Sequence, residues 1–262
     1  MATKPLVVIV GETASGKSDL AIELAKKFNG EIICADSRTI YKGKDIGTAK
    51  PSKQEQGSVP HHLLDVIEPD QTYNAAQFKT DALQLIDEIT ARGHLPIVVG
   101  GTGLYIDALI FDYKFADLGA ERDAINPRHL AKPIKKSETN LQQLRPQTLL
   151  IGLRLDKETL KKRIHNRVEK MVDSGFIDEV KAIGEKYGWD EKAMSGIGYK
   201  FFAQYICGEI NLDEAKAKFV QGDLNLAKRQ RTWFKRNENI HWLDDREQAE
   251  NLVQTFLKSI ES

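Results

Sequence analysis

Short apolar runs alternate along the chain with segments of helical spacing, and a phosphate-loop motif sits between the first run and the first helical segment. Together these predict an α/β protein: a P-loop NTPase-like parallel sheet flanked by helices, with a small insertion. The runs are residues 6–10, 31–35, 95–99, 148–153 and 240–243. Between them, Phe78, Ala82, Leu85, Ile86 and Ile89 recur at the spacing of one helix face.

The first run, residues 6–10, is apolar at every position, as in a strand buried on both faces. It leads directly into Gly11-Glu12-Thr13-Ala14-Ser15-Gly16-Lys17-Ser18, which matches G-x-x-x-x-G-K-[ST]. Leu20, Leu24 and Phe28, with Ala21 and Ala25 beside them, then mark an apolar stripe on a helix starting near Lys17 or Ser18. The helix N-terminus faces the loop, so unpaired N–H groups and the helix dipole favour anionic oxygens there. Lys17 adds a full charge and the Ser18 hydroxyl can ligate Mg²⁺, the expected cofactor.

In a parallel sheet ligands bind beyond the carboxyl ends of the strands. That places residues 11–18, Asp36-Ser37-Arg38 and Gly100-Gly101-Thr102-Gly103 around one cleft. Asp36, just past the second run, is a candidate general base or a group that reaches the metal through water; a strand-end cap is the plainer alternative. The third run ends in glycines and not in a metal-holding Asp, and no Asn-Lys-x-Asp guanine-reading motif occurs. A motor or a GTPase is therefore not expected.

Between about residues 112 and 146 the apolar pattern lapses, while Arg122, Arg128, Lys132, Lys135, Lys136 and Arg145 accumulate with Pro127 and Pro133. The expected division is a core of residues 1–112 and 147–262 with an insertion at 113–146. The last third reads as helical over residues 157–172, 177–187, 199–206 and 212 to about 235.

Composition bounds the remaining choices. A chain of 262 residues with 41% hydrophobic content can bury a substantial core. With 38 basic against 38 acidic residues, any nucleic-acid contact must come from a local patch. The candidate patch is Lys228, Arg229, Arg231, Lys235 and Arg236 against Asp223, a charge of about +4, although such a run is also how a solvated helix face looks. Trp233 and Phe234, between those charges, are expected in the core. Cys34 and Cys207 lack metal-ligand spacing, fit a reducing compartment and are read as core residues. There is no signal-peptide core and no run long enough to span a bilayer, so a cytoplasmic protein with no membrane partner is expected. A monomer is the default.

Five ordered segments give the chain a resemblance. Residues 11–18, Asp36-Ser37-Arg38-Thr39-Ile40-Tyr41, Asp45-Ile46-Gly47-Thr48-Ala49-Lys50-Pro51, His61-His62-Leu63-Leu64-Asp65 and Gly100-Gly101-Thr102-Gly103-Leu104-Tyr105 closely resemble the tRNA dimethylallyltransferases, or isopentenyl-tRNA transferases. The stretch Leu226-Ala227-Lys228-Arg229-Gln230-Arg231-Thr232-Trp233-Phe234, followed by Trp242-Leu243, is similar to that family's end.

The resemblance implies transfer of a dimethylallyl group from its pyrophosphate to the exocyclic amine of the adenine beside the anticodon in tRNA. Gly11, Glu12, Thr13, Ala14, Ser15, Gly16, Lys17 and Ser18 would then hold the pyrophosphate, with Lys17 stabilising the leaving group, Ser18 on Mg²⁺ and Arg167 as a bidentate clamp. Asp36 matches the family's base, and Thr102 is carried over as a residue touching the target nucleotide; a turn hydroxyl is its plainer alternative. Ser37, Arg38, Thr39 and Arg128 complete the implied tRNA contacts. The adenine amine is hidden while the base is stacked, so the nucleotide should be drawn out into the cleft.

Two departures stand out. Glu12 replaces the proline common at that point of the loop, placing a carboxylate near a pyrophosphate, where it is expected to point outward or to weaken binding. The insertion, a long tRNA-gripping helical domain in the family, is short here, although Asn126-Pro127-Arg128-His129-Leu130 still resembles its tRNA-contacting segment. The alternatives are an adenylate isopentenyltransferase acting on a free nucleotide, a small-molecule kinase, and an RNA-binding module without activity.

Overall fold

The computed structural model describes residues 4–115, 143–190, 192–243 and 245–261. Six strands form one parallel sheet: β1 (Leu6–Gly11), β2 (Gly30–Cys34), β3 (His61–His62), β4 (Leu95–Gly100), β5 (Thr148–Leu153) and β6 (Ile240–Leu243). Their order is β3-β2-β4-β1-β5-β6. In register, Val7 lies beside Ile97 on one side and Leu149 on the other. The chain leaves β1 toward β2 but leaves β4 toward β5, so the crevice between β1 and β4 is the topological switch point at which such sheets bind ligands.

All six residues of β1 are buried, because both faces of the sheet are covered. Leu6, Val8 and Val10 pack with Phe78, Ala82 and Ile86 of α3 (Ala75–Ala91) and with α4 (Gly103–Ile110). Val7 and Ile9 pack on the other side with Leu20 and Leu24 of α1 (Lys17–Lys27) and with Val253 of the C-terminal helix α9 (Glu247–Glu261). A third core joins α5 (Lys157–Asp173), α6 (Phe176–Tyr187), α7 (Ile197–Ile206) and α8 (Leu212–Phe234) around Ile164, Phe176, Phe202 and Phe219. Phe176 is its hub, 4.8 Å from Phe202 and 5.2 Å from Tyr199 between ring centroids.

Five of the six strands, the phosphate-loop helix and the four C-terminal helical segments fall where the sequence puts them; β3, two half-buried histidines long, has no apolar run to announce it. The differences have local causes. Helix α1 stops at Lys27, leaving Phe28 as its half-buried C-cap, because Asn29 turns the chain into the left-handed region at φ +51° before β2. The short helix α2 (Lys53–Ser58) has no buried residue, and a Ser52–Glu55 capping box starts it. Cys34 is buried, with its thiol pushed up to about 12 by burial, but Cys207 is exposed at the C-cap of α7 and does not belong to the core.

Arg122, Arg128, Lys132, Lys135, Lys136 and the segment 126–130 lie outside the described residues. The flanks of that segment are tied to the core. Arg145 donates its backbone N–H to the Ile110 carbonyl at 2.7 Å, and its guanidinium bonds the Lys4 carbonyl at 2.8 Å. Among the described residues no helix is long and apolar enough to cross a membrane.

A candidate phosphate-binding active site

The loops after β1, β2 and β4 meet at one end of the sheet. Between β1 and α1, Ala14 at φ +60° and Gly16 at φ +90° give the backbone the left-handed turns from which anion-binding nests are made. Gly16 is also the N-cap of α1 and carries no capping side chain, so the first-turn N–H groups are left for a ligand. Lys17 bends back to donate to the Glu12 carbonyl. Burial holds its amine down at about 8, opposed by the Asp36 carboxylate, with Arg167 lowering it further and Glu12 raising it. The side chain of Ser18 is on the exposed side of the first turn.

Asp36 stands half-buried just past β2, and its Oδ1 accepts the Arg38 N–H at 2.7 Å. The Thr102 hydroxyl, at the N-cap of α4, accepts the Ser37 N–H at 3.0 Å. Thr102 thus fixes the turn that carries Asp36, as a strand-end hydroxyl does, and stands beside the candidate base while doing so. Ser37 and Arg38 are half-buried; Thr39 is buried.

Helix α8 supplies what sequence patterns did not disclose. Gln230, 8% exposed, bridges two loops: its Oε1 accepts the Thr13 N–H at 2.7 Å and its Nε2 donates to the Gly101 carbonyl at 3.0 Å. A Cβ on Gly101 would overlap that amide, so a larger residue here would displace Gln230. Next to it, Arg231 forks onto both oxygens of Glu12, with Nη2 to Oε2 at 2.9 Å. The loop carboxylate therefore points inward and is 2% exposed, against the expectation of an outward-facing residue. Phe234 is buried, and the half-buried Trp233 donates its indole N–H to Asp107 at 2.9 Å, so neither is free as a stacking platform. Lys228, Arg229, Lys235 and Arg236 remain exposed.

Helix α5 closes the site from the other side. Arg167 donates to Thr13 Oγ1 at 2.7 Å, and Arg163 approaches the Ala14 carbonyl at 3.5 Å. Both also line a cleft of about 630 Å³, shared with Ile46, Lys50, Lys170 and Met171. The wall opposite α5 is the Asp45–Lys50 segment, whose conformation Glu179 of α6 sets by accepting the N–H groups of Asp45, Ile46 and Gly47 at 2.9, 2.7 and 3.0 Å. Lys50 is consumed structurally, paired with Asp45 and Asp65. Neither Glu179 nor Gln230 stood out in the sequence, since a helix pattern does not say which polar residue turns inward.

Among the described residues, four buried side-chain polar atoms lack a hydrogen-bond partner: Ser15 Oγ, Thr39 Oγ1, Arg167 Nε and Asp223 Oδ2. Buried polar groups are otherwise satisfied in folded proteins, so these atoms are spare hydrogen-bonding capacity, and Ser15, Thr39 and Arg167 belong to the loops and helix that form the candidate site. Asp223, on α8, belongs with them: burial raises its carboxyl above the usual range, Arg167 opposes this and Asp36 adds to it. Of the predicted residues, the structure brings together residues 11–18, Asp36, Ser37, Arg38, Thr39, Thr102 and Arg167. Arg128 is outside the described residues.

The fold and the loop define an α/β protein of the P-loop-like kind. Comparison with known proteins narrows this. The IPP transferase family matches residues 39–148 and 126–237. A tRNA dimethylallyltransferase of Staphylococcus saprophyticus is 38% identical over 295 residues, covering 95% of this chain and 94% of the relative. One of Geobacillus thermodenitrificans is 40% identical over 286 residues, covering 92% and 91%. The crystal structure of a tRNA isopentenylpyrophosphate transferase from Bacillus halodurans superposes with a TM-score of 0.83 at 32% identity, over 98% of this chain and 97% of that one. A eukaryotic dimethylallyltransferase acting on tRNA superposes with a TM-score of 0.80 at 26% identity. The chain belongs to the IPP transferase family. The 295-residue alignment exceeds the 262 residues of this chain, so the Staphylococcus relative carries residues that this chain lacks.

Proposed function

We propose that the protein transfers a dimethylallyl group from dimethylallyl pyrophosphate to the exocyclic amine of the adenine next to the anticodon in tRNA. The observation that carries this reading is the meeting of a phosphate cradle, Lys17 and Arg167 with a half-buried carboxylate, Asp36, in a family of prenyl transferases.

The amine nitrogen attacks C1 of the allylic group, the C1–O bond breaks, and pyrophosphate leaves with the bonding electrons. The charge that appears on it meets the first-turn N–H groups of α1, Lys17 and Arg167, all in place beforehand. An aromatic amine is a weak nucleophile, so Asp36 takes the amine proton as the new C–N bond forms, a contribution of roughly 10²–10⁴ in rate. Thr102 holds the turn beneath Asp36, and Ser37, Arg38 and Thr39 would contact the everted nucleotide. Arg128 belongs to the same proposal as a tRNA contact.

The donor set fits Mg²⁺. Among the described residues no cluster of three or more His, Cys, Asp or Glu forms a metal cage, whereas Mg²⁺ binds through few protein oxygens, keeping waters and phosphate ligands. The exposed Ser18 hydroxyl would hold it together with the pyrophosphate, whose charge it would help to neutralise. The reading carries with it a cytoplasmic, monomeric enzyme.

Incubation with radiolabelled dimethylallyl pyrophosphate and either unmodified tRNA or AMP tests it. Label in tRNA is expected. Label in AMP alone would convert the protein to a free-nucleotide prenyltransferase, an outcome the short insertion makes worth measuring; label in neither would end the transferase reading.

A further inference from the structure

An unpaired carboxylate in a loop built to receive a pyrophosphate opposes its own ligand, and Glu12 is 2% exposed in that loop. Both of its oxygens are held by one residue, Arg231, through Nε and Nη2. The same Nη2 donates to the Leu155 carbonyl at 3.0 Å, one residue before the Asp156 N-cap of α5. From α5, Arg167 returns to Thr13 Oγ1 at 2.7 Å, while Gln230, adjacent to Arg231, holds the Thr13 N–H at 2.7 Å. A closed circuit therefore runs from the loop through α8 to the start of α5 and back to the loop.

We propose that Glu12 and Arg231 form a charge-neutral brace that positions the phosphate loop and Arg167 for pyrophosphate, making Arg231 a positioning residue and not one of the nucleic-acid contacts its basic neighbours suggest. A bidentate guanidinium–carboxylate pair fixes orientation as well as distance. Only the carboxylate of this pair is buried, so removing the arginine costs more than the pair itself contributes, because the Glu12 charge is stranded. Here the stranded charge would be negative and would sit in the pyrophosphate site. The fork commits the Arg231 guanidinium to Glu12 even though its side chain is 37% exposed, whereas Lys228, Arg229, Lys235 and Arg236 lie on the exposed face.

The inference rests on reading residues 11–18 as a pyrophosphate site. Its test is therefore a titration that needs no transfer: inorganic pyrophosphate with Mg²⁺ against the full chain, for wild type, Arg231→Gln, Glu12→Gln and the double variant. Steady-state KM values for dimethylallyl pyrophosphate and tRNA accompany it. Arg231→Gln is expected to weaken pyrophosphate binding and raise the donor KM by roughly 10–100-fold, leaving the tRNA KM nearly unchanged. The double variant, with no charge left unpaired, is expected to recover most of that affinity, and it carries the test if Arg231→Gln does not fold. A rise in tRNA KM with pyrophosphate binding intact would overturn the proposal. So would tighter binding by Glu12→Gln with Arg231→Gln unchanged, or a double variant no better than Arg231→Gln. If wild type binds pyrophosphate but transfers no label, the transferase reading fails while the brace is still measured.

Discussion

Strand β2 has a buried acid near one end and a half-buried acid just past the other, and their surroundings are opposite in kind. At the amino end, Glu31 is 3% exposed and saturated: Arg92 forks onto it at 3.0 and 2.8 Å, His62 bonds Oε2 at 2.6 Å and His94 bonds Oε1 at 2.7 Å. At the carboxyl end, Asp36 has a single backbone partner at 2.7 Å and shares its neighbourhood with polar atoms that have none. Saturation makes the first cluster a staple between β2, β3 and the approach to β4. Spare hydrogen-bonding capacity makes the second the candidate site.

That contrast can be broken by experiment. The largest effect is expected for Asp36→Asn, which should leave the melting temperature close to wild type and lower single-turnover transfer by roughly 10²–10⁴. A defect confined to donor binding would instead make Asp36 a structural or metal-associated group. Gln230→Leu should strand the Thr13 N–H and the Gly101 carbonyl and destabilise the fold by about 2–4 kcal/mol in urea unfolding, since each orphaned buried group costs about 1–3.

Glu31→Gln should do the reverse of Asp36→Asn, lowering stability without touching the chemistry. Chiefly through Arg92, with His62 and His94 adding to it, the carboxyl is held at about 2 against an ordinary 4.5. Because the folded value is the lower one, its contribution is complete above about pH 4.5 and fades as pH falls toward 2. Unfolding curves should show a deficit of about 2–3 kcal/mol for Glu31→Gln at pH 7 that closes as pH approaches 2. A deficit independent of pH would mean that packing, and not charge, is what Glu31 provides.

The smallest effect concerns charges that are neither saturated nor enclosed. Replacing the exposed Lys228 and Arg229 with Ala should weaken tRNA binding a few-fold. The logarithmic salt slope should flatten by about one for each phosphate that these side chains neutralise. An unchanged slope would identify a solvated helix face.

The fold was legible in the sequence because parallel strands covered on both faces write continuous apolar runs, and those runs sit within a residue or two of the strands found. Strand β3 and helices α2, α4 and α9 were not anticipated: β3 is two residues long, α2 buries no residue, α4 follows a glycine-rich turn that reads as loop, and α9 lies beyond the last strand, with its apolar residues interleaved among charges. The candidate site was legible where chemistry demands a local pattern, as in residues 11–18 and Asp36. Arg167 came through resemblance alone, being one of two arginines among the lysines of a polar helix.

The sequence by itself determined the sheet, the phosphate loop and the acid beside it, since each depends on neighbours close along the chain. Tertiary structure alone decided which charges are spent and which are available. Arg231 carries the same charge as its neighbours Lys228 and Arg229, yet its guanidinium is committed to Glu12, 219 positions away. Glu179 caps a segment more than 130 positions earlier. Pairing across such distances depends on which helix face turns inward, and that is set by packing between helices, which no local pattern encodes.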